Sequence, residues 1–117
     1  MPWRRRWLLA RRPDLARGVL GELLRTVFAW QAERAGRPAG DGGAVTVKQR
    51  FGSALNLNLH FHALVLDGVY DHCPKSGQLR FWRSADATTE DVESLVEEVA
   101  ARVESWLERR GFGAGGE

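Results

Sequence analysis

The sequence has a single cysteine and no long apolar run, and each of these shortages excludes a class of site or protein. A single cysteine, Cys73, excludes an internal disulfide and a zinc site built from several cysteines. No apolar run approaches the roughly 20 residues that cross a bilayer, so no transmembrane helix is predicted. The N-terminal apolar run, residues 7–10, is also too short for the core of a signal peptide. We therefore expect a cytoplasmic protein that does not enter a membrane.

The composition is that of a globular chain with an uneven distribution of charge. Hydrophobic residues make up 44% and charged residues 27%, which is typical of a folded domain. The 117 residues fit one domain, predicted over residues 1–112, with the glycine-rich residues 113–117 as a flexible tail. Basic residues dominate the first half of the chain and acidic residues the second. This asymmetry suits a polyanionic partner, although solvated arginines on a small domain explain it as readily.

The spacing of apolar and turn-forming residues predicts the order strand, helix, strand, strand, strand, helix. The predicted strands cover residues 3–10, 44–51, 59–70 and 78–82, and the helices cover residues 14–35 and 88–110. Thr88 followed by Asp91 approximates a capping box at the start of the second helix. Three tryptophans are predicted to be core residues: Trp30, Trp82 and Trp106. The order predicts an α+β fold, an antiparallel sheet with two helices on one face.

Two of the three histidines, His60 and His62, lie two residues apart in the predicted strand 59–70. Because side chains alternate across a strand, both face one side with Cα atoms ~6.5–7 Å apart, while Phe61 belongs to the face that should cover the helices. Two neutral imidazoles at this spacing can share a divalent ion when a third ligand fixes the geometry, and Gln49 and the nearby Asn56 and Asn58 offer oxygen donors. Solvated or cross-strand-paired histidines are nevertheless the commoner explanation of such a pair.

The segment QRFGSALNLNLHFHALVLDGVY, residues 49–70, resembles the central signature of rolling-circle insertion-sequence transposases of the two-tyrosine kind. These transposases belong to the His-hydrophobe-His (HUH) endonuclease superfamily, with plasmid relaxases and rolling-circle replication initiators. The resemblance covers a long contiguous string, and the flanking segments resemble the family more loosely. It implies a ferredoxin-like α+β fold whose open sheet face carries His60 and His62.

The resemblance also implies a metal-dependent reaction on single-stranded DNA at transposon ends. His60 and His62 would hold magnesium or manganese, with Gln49 as the candidate third ligand. The ion would polarise the scissile phosphate, and a tyrosine would attack it to leave a 5′-phosphotyrosine link and a free 3′-hydroxyl. These roles are what the resemblance implies for the matching positions of this sequence.

The sequence departs from the family pattern at the nucleophile. The family carries two tyrosines, spaced Tyr-x-x-x-Tyr, on a helix C-terminal to this region, and the predicted helix 88–110 contains none. The one tyrosine, Tyr70, lies near a strand end, where a packed aromatic is expected. We therefore expect a fragment, or the product of a decayed or interrupted element, that binds metal and DNA without cleaving DNA. The alternative is a non-enzymatic remnant that binds transposon ends or an intact transposase and interferes with it.

Two groups of basic residues are candidates for contacts with DNA phosphates. Lys48 and Arg50 flank the candidate third ligand, and the run Arg4, Arg5 and Arg6 stands between two tryptophans, which combines charge with stacking surface. Surface solubility explains each group about equally well. An RNA-recognition-like sheet is a further reading of the same architecture. It ranks last, because it needs exposed aromatics on the helix-free face, where this sequence places histidines and leucines.

Overall fold

The computed structural model describes residues 8–9, 11–51 and 58–112, with the backbone alone at residues 48–51 and 58–61. In chain order the elements are α1 (Pro13–Arg34), β1 (Ala44–Phe51), β2 (Asn58–Val65), β3 (Gly68–His72), β4 (Leu79–Arg83) and α2 (Thr89–Arg109). Two helices combined with antiparallel strands confirm the predicted α+β class. No helix in these ranges is long and apolar enough to span a membrane. The predicted tail, residues 113–117, lies outside the described residues.

The prediction of a strand over residues 3–10 is wrong where the structure describes that range. Leu8 and Leu9 are helical, as is Arg11, and the N–H of Arg12 donates to the carbonyl of Leu8 at 2.9 Å. Leucine and arginine are good helix formers, and Pro13 is tolerated because the first turn of a helix needs no donor from it. The remaining positions of the predicted strand lie outside the described residues.

Helix α1 ends in a Schellman motif, after which the loop 35–43 begins. Gly36 takes a left-handed conformation with φ of 71°, as glycine readily does at this position. Its N–H donates to Glu33 O at 3.0 Å, and the N–H of Arg37 donates to Ala32 O at 2.8 Å. These two bonds satisfy carbonyls that the helix end would otherwise leave without partners.

The two helices run antiparallel and contact each other at both ends. At one end Gly18 lies so close to Trp106 that an added β-carbon would come within 2.0 Å of the indole Cζ2. At the other end Arg34 pairs with Asp91 at 3.2 Å. Gly18 of α1 therefore packs against the second helix, α2.

Helix α2 begins at the predicted capping box. The hydroxyl of Thr88 accepts from the N–H of Asp91 at 3.1 Å, and the Asp91 carboxylate accepts from the N–H of Thr88 at 2.9 Å. These hydrogen bonds satisfy donors that a helix N-terminus leaves unpaired, so local sequence is enough to start the helix here. The capping-box prediction is confirmed.

The described strands form two separate antiparallel ladders, β1 with β2 and β3 with β4. The predicted strand 59–70 is interrupted at Leu66 and Asp67, which turn the chain from one ladder to the other. Leu66 donates to Gly43 O at 2.9 Å, while Asp67 O accepts from Ser84 N–H at 2.9 Å. Gly68 is the first residue of β3 and lies in close contact with β4. A β-carbon at Gly68 would come within 2.2 Å of the carbonyl oxygen of Trp82. Asp67 itself lies at a bend.

The β1–β2 hairpin projects from the rest of the molecule. Val45 and Leu64, which pair across it, are 68% and 79% exposed, and Thr46 and Ala63 on the other face are exposed as well. We expected one face of this hairpin to cover the helices, and at these positions neither face does. The radius of gyration is 16.7 Å, against about 13 Å for a compact chain of similar length. The molecule is therefore elongated.

Candidate metal centre and nucleic-acid interface

The two histidines that stand out in the sequence lie on β2, and the register of the ladder determines which β1 positions lie beside them. Gln49 pairs with His60, and Val47 pairs with His62. Residues directly opposite each other in an antiparallel pair share a face, as do residues two apart on one strand. Positions 49, 60 and 62 therefore belong to one face, with neighbouring Cα atoms about 4.5–7 Å apart.

This face is open to solvent where its side chains are described. His62 is exposed, and Val47 opposite it is 49% exposed. An ion or a DNA strand could therefore approach without displacing another part of the described chain. Among the described side chains, no three His, Cys, Asp or Glu residues gather closely enough to hold a metal. The side chains of His60 and Gln49 lie outside that set, so the metal site remains a prediction.

The candidate phosphate contacts on β1 occupy the other face of the hairpin. Lys48 pairs with Phe61 and Arg50 pairs with Leu59, positions that alternate with those of the histidines. A strand of DNA lying on the histidine face would therefore be on the opposite side of the hairpin from positions 48 and 50. The third candidate group, Arg4, Arg5 and Arg6, lies outside the described residues. The roles of both basic groups in binding DNA stay predictions.

A family model with the description "Putative transposase" (Y2_Tnp) matches residues 43–114. The match begins just before β1 and runs beyond the end of α2, so it includes both ladders and more than half of the chain. The chain belongs to this transposase family. No curated protein and no solved structure matches it. The resemblance to a transposase in residues 49–70 is therefore confirmed at the level of this family.

The one tyrosine of this transposase chain is a packed strand residue. Tyr70 lies in β3, and its ring centre is 5.1 Å from that of Phe81. Its backbone exchanges two hydrogen bonds of 2.9 Å with Asp41, just before the hairpin. β3 pairs with β4 and not with the histidine strand. Despite this ring contact Tyr70 is 43% exposed, and it lies in the middle of β3, so its expected position near a strand end is wrong.

The β3–β4 turn carries the third histidine and the cysteine of the transposase chain. His72 Nδ1 lies 2.9 Å from Gly77 O. The backbone N–H of Ser76 is the main cause that lowers the pKa of the Cys73 thiol, because it stabilises the thiolate. Both polar side chains thus have partners within this short segment itself.

Sequence patterning gave no sign of a pair of arginines around Trp82 in this transposase chain. The guanidinium carbon of Arg37 lies 3.6 Å from the Trp82 ring centre, and that of Arg80 lies 4.5 Å from it. Trp82 was predicted to be a core residue, and it is half-buried. Alternation along β4 could have placed Arg80 beside Trp82. Arg37 comes from the loop after α1, and no local pattern connects it to β4.

Proposed function

We propose that this chain is the metal-binding and DNA-binding part of a rolling-circle transposase of the HUH endonuclease superfamily. Its substrate would be single-stranded DNA at transposon ends. The register of the β1–β2 ladder is the observation that supports this most directly, because it gathers positions 49, 60 and 62 on one face. The same ladder lies inside the segment that the transposase family matches.

The donor atoms available at these positions suit magnesium or manganese. His60 and His62 would bind as neutral imidazoles, and Gln49 would add an amide oxygen, which is a hard ligand. A divalent ion held there would supply Lewis acidity toward a scissile phosphate. The exposure of His62 leaves the face open to a phosphodiester.

We further propose that these 117 residues bind DNA without cleaving it. A nicking reaction of this superfamily needs a tyrosine hydroxyl that attacks phosphorus and becomes esterified to the 5′ end, releasing the 3′-hydroxyl. The only tyrosine in the sequence is Tyr70, which belongs to the other ladder and packs against Phe81. Covalent attachment of this chain to single-stranded DNA in the presence of manganese, seen as a shifted band after denaturation, would overturn this part of the proposal.

Calorimetric titration of manganese tests the metal site. The wild type and a His60→Ala/His62→Ala double variant are compared, with His72→Ala as the matched control because His72 lies at the end of β3, on the other ladder, and contacts Gly77 O. We expect about one ion per chain for the wild type and the control, and no binding for the double variant. Equal binding by all three proteins, or binding by none, would contradict the metal-dependent function.

The second candidate function is a non-enzymatic DNA-binding remnant that interferes with an intact transposase. The observation that favours it is the pair of arginines around Trp82, which lies outside the hairpin and needs no metal to bind an anion. Strongly salt-sensitive binding to single-stranded DNA in EDTA, together with no manganese binding by the wild type in the calorimetry, would support it. Binding that disappears when the metal is removed would argue for the metal-dependent function instead.

A further inference from the structure

Trp82 holds two guanidinium groups on a surface away from the histidine face. Arg37 stacks at 3.6 Å and Arg80 at 4.5 Å from the ring centre. Two like charges beside one ring repel each other, while cation–π attraction to the ring favours their position there. An anion bound between or beside the two groups would remove the repulsion.

The loop after α1 places Arg37 over the β3–β4 ladder by hydrogen bonds and close packing. Arg37 follows the left-handed Gly36, and its carbonyl accepts from the N–H of Gly40 at 2.8 Å. Gly40 in turn packs on Val69, since a β-carbon at Gly40 would lie 2.5 Å from a methyl group of Val69. Val69 is fully buried and pairs with Trp82 across the ladder. The position of Arg37 is therefore determined by backbone contacts rather than by its charge.

The indole of Trp82 is also held in place. Its Nε1–H donates to Asp71 O at 3.2 Å, across the ladder. Asp71 pairs with Arg80 in the register, yet its carboxylate accepts from the N–H of His72 at 2.8 Å and makes no ion pair with Arg80 among the described atoms. A fixed ring with guanidinium groups stacked on it leaves their N–H edges free to donate, which is the geometry that phosphate oxygens accept best.

The pair around Trp82 differs from several arginines of the described chain in having no carboxylate partner there. Five others are neutralised by acidic side chains: Arg12, Arg25, Arg34, Arg83 and Arg102. Arg34 also stacks on a tryptophan, but its charge is compensated by Asp91. No ion pair joins Arg37 or Arg80 to an acid within the described residues. Their two charges are therefore available to a ligand.

We infer that Arg37, Trp82 and Arg80 form a phosphate-binding site, separate from the hairpin histidines, that holds the backbone of single-stranded DNA. The choice of DNA as the ligand rests on the proposed function. The site would position the strand without a metal and without reading bases, because guanidinium contacts to phosphates carry no sequence information. It would add an anchoring point on the β3–β4 ladder, away from the predicted reacting phosphate on the hairpin.

The salt dependence of binding to a labelled oligothymidylate tests this site, measured by fluorescence anisotropy in EDTA. For single strands, the slope of log affinity against log salt changes by about 0.7 for each phosphate contact. We expect Arg37→Gln and Arg80→Gln each to reduce the slope by about 0.7 and the double variant by about 1.4. Affinity at low salt should fall roughly ten-fold or more in the double variant, since charged hydrogen bonds are lost. Arg102→Gln, whose guanidinium faces Glu98 on α2, is the matched control and should change neither quantity.

Each outcome of this experiment supports or overturns the phosphate-binding site. A slope unchanged by the single and double variants, or no binding by the wild type at low salt, overturns the phosphate site. Equal losses for Arg102→Gln would show a general effect of net charge and would overturn it too. Equally tight binding of a duplex would overturn the assignment to single strands. If the double variant does not fold, the salt slopes of the two single variants test the site. Because EDTA removes metal, failure of the histidine site would appear only in the calorimetry and would leave this result intact.

Discussion

Gln49 stands directly opposite His60 in the β1–β2 ladder, and this pairing brings an amide position to the face of the two histidines. The two residues are eleven positions apart in the sequence. Only the hairpin makes them neighbours, at the Cα separation of about 4.5–5.5 Å that is usual for opposed residues. The His-x-His pattern alone leaves several possible third ligands. The pairing favours Gln49, so the proposed ligands are His60, His62 and Gln49, a set that can be tested.

Replacing Gln49 with alanine should weaken manganese binding. Loss of an oxygen ligand or of a group that orients the imidazoles commonly costs 10- to 100-fold in affinity, and we expect about that loss. Isothermal titration is the measurement. Lys48→Ala is the control, because position 48 alternates to the other face of the ladder and should leave affinity unchanged. Unchanged affinity in Gln49→Ala would remove this residue from the proposed ligand set.

The contact of Gly18 with Trp106 predicts that alanine at position 18 is destabilising. Alanine favours a helix over glycine by about 1 kcal/mol. The added β-carbon would nevertheless come within 2.0 Å of the indole, so the helices must shift at a cost of about 1–3 kcal/mol. Chemical denaturation should therefore show that Gly18→Ala is less stable than the wild type, or at best equally stable.

Gly21→Ala is the matched control for this prediction. Position 21 lies on the same helix, and the nearest atom to an added β-carbon is Arg25 Nη1 at 3.4 Å, the end of a flexible side chain. We expect this variant to be more stable than the wild type by about 0.5–1 kcal/mol. A stabilising effect of equal size at both positions would show that Gly18 does not limit how closely the helices pack.

The contribution of helix α2 to stability should come mainly from its C-terminal half. Leu107 is 1% exposed, whereas Val96, in the N-terminal half, is 62% exposed at an open apolar groove between the helices. We expect Leu107→Ala to cost about 2–5 kcal/mol of unfolding free energy and Val96→Ala less than about 0.5 kcal/mol. Urea denaturation of both variants measures the difference. A similar cost at both positions would mean that Val96 is covered in solution.

The capping box of α2 predicts a pH-dependent contribution from Asp91. Hydrogen bonding from the backbone N–H of Thr88, together with the Thr88 hydroxyl and Arg34, lowers the pKa of the Asp91 carboxyl. Its stabilising effect is therefore complete above the pKa of an unfolded aspartate, about 4, and is lost as the pH falls through the lower pKa of the folded state. Asp91→Asn should lower the melting temperature at neutral pH, and the difference from the wild type should vanish in strong acid.

Glu90→Gln is the control for the acid titration. Glu90 lies in the same first turn but outside the capping box. Its effect on the melting temperature at neutral pH should be smaller than that of Asp91→Asn. A pH-independent difference between wild type and Asp91→Asn would show that the carboxylate charge does not contribute to the cap.

Local sequence was sufficient for the features that depend on near neighbours. The capping box at Thr88, the end of α1 at Gly36 and the antiparallel pairing of β1 with β2 are all confirmed, because each depends on hydrogen bonds within a few residues or across one turn. Membership of a transposase family is also confirmed, since a contiguous string carries it. The strand predicted over residues 3–10 is wrong, because bulky apolar and basic residues suit a short helix as well as a strand.

Long-range contacts decided the rest. The break at Leu66 and Asp67 depends on hydrogen bonds to Gly43 and Ser84, which no pattern within the strand reveals. The stacking of Arg37 on Trp82 likewise joins a loop to a distant strand. The sequence alone therefore determined the residue types that can bind metal and phosphate, and most of the local elements. The tertiary structure decided which residues meet, because the free energy of packing and of distant hydrogen bonds depends on neighbours that only the folded chain brings together.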